Sequence, residues 1–131
     1  MTDLQLLRTI AERLCQVQTG AESEIRAALA IPIEPAPLGA RELEIYGGVL
    51  SRATVELKWS LPSAVTKADI DRVFGGTGEP LPRTGPGASH VFAYNVSVAG
   101  APAKISVYAS FADKPRPETG AKGVMFRIDE P

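Results

Sequence analysis

Cysteine and histidine are nearly missing, with one of each in 131 residues. A lone cysteine forbids an internal disulfide, which excludes a disulfide-stapled secreted scaffold. Cys15 and His90 stand far apart in the chain. A metal site of the zinc type needs several such ligands converging, so no metal or other cofactor is expected. No Asp/Asn loop of calcium type appears either. Apolar runs are short, and none reaches the ~18 residues that a membrane span requires. The first residues, Met1-Thr2-Asp3-Leu4-Gln5-Leu6-Leu7-Arg8, lack the basic start and apolar stretch of a signal peptide. No membrane association and a cytoplasmic location are therefore expected.

An excess of charge is missing too. Lys and Arg number 14 against 15 Asp and Glu, a net charge of −1. Residues 1–45 carry seven acids and four bases (−3), and residues 46–131 carry eight and ten (+2). Neither stretch suits a phosphate backbone, so no nucleic-acid partner is expected.

What is present is ordinary globular usage, 44% hydrophobic and 22% charged. The length suits one domain, 1–131. The 12 glycines and 11 prolines gather between periodic segments, as loops do. Leu7, Ile10, Ala11 and Leu14 follow helical spacing, and Thr2 with Gln5 has capping-box spacing. Gly20 is the expected stop. Thr19 and Glu22 repeat the capping spacing before a second helix, about 21–30, with Ile25, Ala28 and Leu29 inward. Pro32 ends it, and the proline-bearing stretch 31–40 should be extended.

The period then changes to two. Leu43 and Ile45 alternate with Glu42, Glu44 and Tyr46. Ala53, Val55, Leu57 and Trp59 alternate with Thr54, Glu56 and Lys58. Gly47-Gly48 signals a hairpin. A three-residue turn over 47–49 would set Leu43 opposite Ala53 and Glu44 opposite Arg52. Pro62-Ser63 closes the unit. Thr66 and Asp69 cap a short helix, about 67–74, with Ile70, Val73 and Phe74 inward and Gly75-Gly76 at its end. A long Gly/Pro loop follows at 75–89, the kind that is functional or mobile. Three further strands carry His90, Phe92, Tyr94, Val96 and Val98, then Ile105, Val107, Ala109 and Phe111, then Val124, Phe126 and Ile128. A second polar loop, 112–123, separates the last two. The fold expected is α+β: two N-terminal helices and an antiparallel sheet of about five strands. A short helix is inserted after the first hairpin, giving α-α-β-β-α-β-β-β.

Catalytic signatures are absent. There is no Gly-x-Ser-x-Gly elbow. His90 reads as a polar residue at a sheet end and Cys15 as a small buried hydrophobe. Gly75-Gly76-Thr77-Gly78 follows a helix instead of opening one, unlike a phosphate loop. Glu42 and Glu44 read as solvent-facing on a strand, and Asp69 and Asp71 as acids favouring a helix start. Trp59 shares the inward parity, which predicts a core position. Tyr46, Glu56, Lys58, Lys104, Ser106 and Tyr108 share the outward parity, a polar and aromatic sheet face suited to a protein partner. The favoured reading is a non-catalytic protein-interaction module, such as an inhibitor or a toxin-neutralising, immunity-like protein. Two alternatives stand beside it: a small-ligand-binding protein with a pocket near loop 75–89, and a hydrolase-like enzyme using His90. Neither the partner's identity nor an oligomeric state follows from these residues.

Overall fold

The computed structural model describes residues 2–30, 41–46, 53–59 and 64–129, with the backbone alone at Arg41 and Glu42. The expectations for 31–40, for the turn at 47–49 and for Pro62-Ser63 lie outside the described residues. The elements run α1 (Asp3–Leu14), α2 (Glu22–Ala28), β1 (Arg41–Tyr46), β2 (Thr54–Trp59), α3 (Lys67–Phe74), β3 (Glu79–Pro80), β4 (His90–Ser97), β5 (Lys104–Phe111) and β6 (Gly123–Ile128). The class is α+β, with three helices and a six-stranded antiparallel sheet ordered β1-β2-β6-β5-β4-β3.

α1 starts on the expected reciprocal cap. The Gln5 amide donates to Thr2 Oγ1 at 3.1 Å, and the Thr2 amide donates to Gln5 Oε1 at 2.8 Å. The helix stops short of Gly20, at Leu14. Gln16 N and Val17 N bond back to Arg13 O and Leu14 O, which tightens the last turn. The Cys15 carbonyl is taken by Ala103 N at 3.0 Å, tying the helix end to the sheet. The Thr19–Glu22 capping pair is not the one used at α2. Glu24 folds back instead, and its carboxylate accepts the amides of Gln18, Thr19 and Gly20 at 2.8–3.0 Å. One carboxylate at that position satisfies three donors, more than a hydroxyl can. It titrates accordingly low, at about 2, chiefly because of the Gln18 and Thr19 amides. Glu22 pairs with Arg26 one turn on, at 2.7 Å.

The β1–β2 register differs from expectation. Leu43 lies opposite Leu57 and Glu44 opposite Glu56. The observed register sets Leu43 and Ile45 beside Leu57 and Val55, larger apolar neighbours than Ala53, and on the far side of β2 Val55 meets Phe126 and Leu57 meets Val124. Val55, Leu57, Val124 and Phe126 are fully buried. Burying such a side chain stabilises by about 1.5–3 kcal/mol, whereas a cross-strand surface pair is worth roughly 0.2–1 kcal/mol. Core packing therefore sets the register, and two glutamates end up face to face.

β4, β5 and β6 form the expected antiparallel meander. The sixth strand arises inside the 75–89 loop. Glu79 pairs with Ala93 and Pro80 with Phe92, and Leu81 N adds a bond to Val91 O. A proline disguised this strand, yet proline is tolerated at a sheet edge, where its missing N–H costs no ladder bond.

Leu6, Leu7, Ile10 and Leu14 of α1, Ile25 of α2 and Ile70 of α3 join the inward residues of the sheet in one core cluster. The helices therefore lie on one side. No described helix covers the other side of the sheet, where Tyr46 and Met125 are among the exposed large side chains.

Candidate functional site

Two surfaces collect polar side chains in a way the core does not require. The first is the sheet face that no described helix covers. Pairing aligns its residues in rows across the strands. One row runs Tyr46, Thr54, Arg127, Ser106 and Asn95. The next runs Glu44, Glu56, Met125, Tyr108 and Ala93, and the third runs Lys58, Gly123, Ser110 and Val91.

Tyr46, Glu56, Lys58 and Tyr108 share this face with Met125 between them. Tyr46 is 42% exposed and its hydroxyl donates to Glu44. That bond, followed by desolvation, raises the Tyr46 hydroxyl above its ordinary range. Lys58 Nζ lies 3.3 Å from Glu56, whose hydrogen bond and charge raise the ammonium pKa. The opposed glutamates thus each have a side-chain partner. Tyr108 is half-buried, with the Arg127 guanidinium 5.3 Å above its ring.

Two of the expected residues are placed differently. Ser106 has the outward parity but is only 6% exposed, and its hydroxyl is held by Asp129 at 2.8 and 3.1 Å. Lys104 is exposed at the start of β5. It stands six residues from Ser110, the level of Lys58, or roughly 20 Å along the strand. Between Lys58 and Ser110 sits Gly123, and the missing side chain leaves a hollow of about 160 Å³ rimmed by Glu56, Lys122 and Met125.

The second surface borders the 75–89 loop, beside which the ligand-binding alternative expected a pocket, although none of its lining residues was assigned to that pocket from the sequence. It is a groove of about 720 Å³ on the helix side, between α3 and two loop segments, 76–80 and 114–117. At its base Lys67 is 7% exposed. Its Nζ bonds to Asp71 Oδ1 at 2.5 Å and to Thr77 O at 2.7 Å, and lies 4.7 Å from the centre of the Phe92 ring. Tyr94 donates to the same Asp71 oxygen at 2.6 Å. Burial first, and Asp71 second, push the Tyr94 hydroxyl far above its ordinary range. The two helix acids therefore do different work. Asp69 completes the cap with Thr66 and pairs with Arg72 at 2.7 Å, whereas Asp71 ties α3 to β4. The signals were present in the sequence: Lys67 and Asp71 four apart on a helix, and an inward tyrosine whose hydroxyl needed a partner.

Gly78 is required here. Its φ is +75°, and a Cβ would stand 2.7 Å from Tyr94 Cζ. The loop therefore lies directly on the tyrosine ring. The opposite wall is also tied down, by Ala68 N to Pro117 O at 3.0 Å and Lys67 N to Thr119 O at 2.9 Å.

His90 opens β4 opposite Phe111 and is partly buried. Among the described residues it has no hydrogen bond to a nucleophile or a carboxylate, and the neighbouring Ser89 accepts from Lys122 at 2.8 Å. Cys15 is fully buried, and burial followed by Glu12 raises its thiol pKa, away from a reactive thiolate. Among the described residues no three His, Cys, Asp or Glu converge as they would around a metal ion. No described helix is long and apolar enough to cross a membrane. Comparison of the chain with protein-family models, with curated proteins and with solved structures finds no match.

Proposed function

We propose that this protein is a non-catalytic interaction module that engages a folded protein partner through the outer sheet face, as an inhibitor or a neutralising, immunity-like protein would. The observation that supports this reading is the row Glu44–Glu56–Met125–Tyr108, which no described helix covers, with Tyr46 and Lys58 beside it. An exposed tyrosine and methionine among charges of both signs match the make-up of a protein interface better than a polyanion site. The hollow over Gly123 offers a place for one partner side chain, the usual seat of an interface hot spot. Lys104 belongs to the rim of this surface, and Ser106 acts on it only through Asp129.

The test is affinity capture with the wild type and with a Tyr46→Ala, Lys58→Glu, Met125→Ala variant. All three side chains are exposed, so the variant should melt with the wild type. A stoichiometric partner held by the wild type and lost by the variant is the expected result. Equal capture by both removes the sheet face as the working surface.

A further inference from the structure

The geometry points to a second site, independent of the sheet face: the groove between α3 and the 76–80 and 114–117 segments binds a small organic anion, a phosphate or carboxylate on an apolar body. Charge is the first argument. Lys67, Arg72, Lys114 and Arg116 line the groove against one carboxylate, Asp71. Lys67 is committed to Asp71 and Thr77, and Arg72 to Asp69. The side chains of Lys114 and Arg116 have no ion-pair or hydrogen-bond partner among the described residues. Two cations thus stand unneutralised on one wall, in a chain whose net charge is −1. A guanidinium presents a fork that matches a carboxylate or phosphate with two bonds.

The second argument is shape. The groove is open to solvent, and its volume of about 720 Å³ admits a small molecule but is too local for a polyanion, which needs an extended track of cations. Pro80, Phe92, Pro115 and Pro117 supply an apolar surface for the body of the ligand. The third is rigidity. The Lys67–Thr77 bond and Gly78 on Tyr94 hold one wall, and Pro117 O on α3 holds the other. A preformed site loses less to ordering when a ligand arrives. The anion sits on the Lys114–Arg116 side, away from Asp71.

Amide NMR titration of the whole chain at fixed ionic strength tests this, with inorganic phosphate, phenyl phosphate and benzoate as probes. Saturable shifts are expected at Thr77, Gly78, Lys114 and Arg116, with phenyl phosphate binding about tenfold tighter than inorganic phosphate. Comparison of phenyl phosphate with benzoate tells which head group the cations prefer. A Lys114→Glu, Arg116→Glu variant should keep its melting temperature and lose the saturable shifts. No saturable shift with any probe at millimolar concentration overturns the proposal, as do shifts that persist in the variant. Equal affinity for inorganic and phenyl phosphate removes the apolar half of the ligand.

Discussion

The protein builds one chemical arrangement twice, in two environments. Under the 75–80 loop, a tyrosine hydroxyl and a lysine share one aspartate, Asp71. On the outer sheet face, Tyr46 bonds to Glu44 and Lys58 to Glu56, two acids facing each other across a strand pair. The residue types are alike and the solvent is not. The Lys67 side chain is 9% exposed and that of Lys58 is 48% exposed. Water screens the outer set and replaces any partner it loses, whereas a buried charge left alone has no substitute. The inner set therefore holds α3, β4 and the loop together. In the proposed function, the outer set exchanges its partners for those of another protein.

The largest effect should come from stripping the inner set. Asp71→Asn leaves Lys67 a buried cation without its counter-charge, and urea unfolding should register a loss of about 3 kcal/mol. A loss no greater than that of an exposed substitution would make the two sets equivalent and break the comparison. Gly78→Ala comes next. It forces a side chain toward the Tyr94 ring at a positive φ, and thermal unfolding should reveal a cost of about 1–3 kcal/mol.

Glu24 sharpens the comparison from another side, because it is half-exposed and yet strongly shifted. Its backbone donors depress the folded-state value to about 2, against an ordinary 4.5. A depressed carboxylate contributes stability that is fully present above pH 4.5 and lost as the pH falls toward 2. Glu24→Gln should therefore be less stable than the wild type at neutral pH, and the gap should close through that window in acid unfolding curves. A gap that is constant with pH would mean that the carboxylate's charge plays no part. The smallest effect is expected on the outer face, where Lys58→Ala should leave the unfolding midpoint unchanged. A clear shift there would show that the outer pair is structural after all.

Much of the fold was legible because its signals are local. Thr2 with Gln5 and Thr66 with Asp69 each specify a helix start within four residues, and the alternation in 90–98 and 105–111 specifies a meander with one buried face. What escaped depends on partners distant in the chain. The β1–β2 register sets Leu43 and Ile45 beside Leu57 and Val55, whose partners on β6, Val124 and Phe126, lie 67 and 71 positions further on and carry no mark in the hairpin itself. Trp59 shares the inward parity but sits at the rim, partly exposed, with its indole N–H on Asp3 at 2.9 Å. Parity assigned Ser106 to the face, but only Asp129, 23 residues on, decides that its hydroxyl is occupied. A pocket near the 75–89 loop was legible as an alternative, but its lining was not, since residues 76–80 and 114–117 come to one groove only once α3 lies between them.

The central contrast is best tested by two double-mutant cycles measured by urea unfolding. One combines Tyr94→Phe with Asp71→Asn, and the other combines Tyr46→Phe with Glu44→Gln. A coupling of about 1 kcal/mol or more is predicted for the inner pair, with none measurable for the outer pair. Equal couplings, or a larger one on the sheet face, would contradict the account.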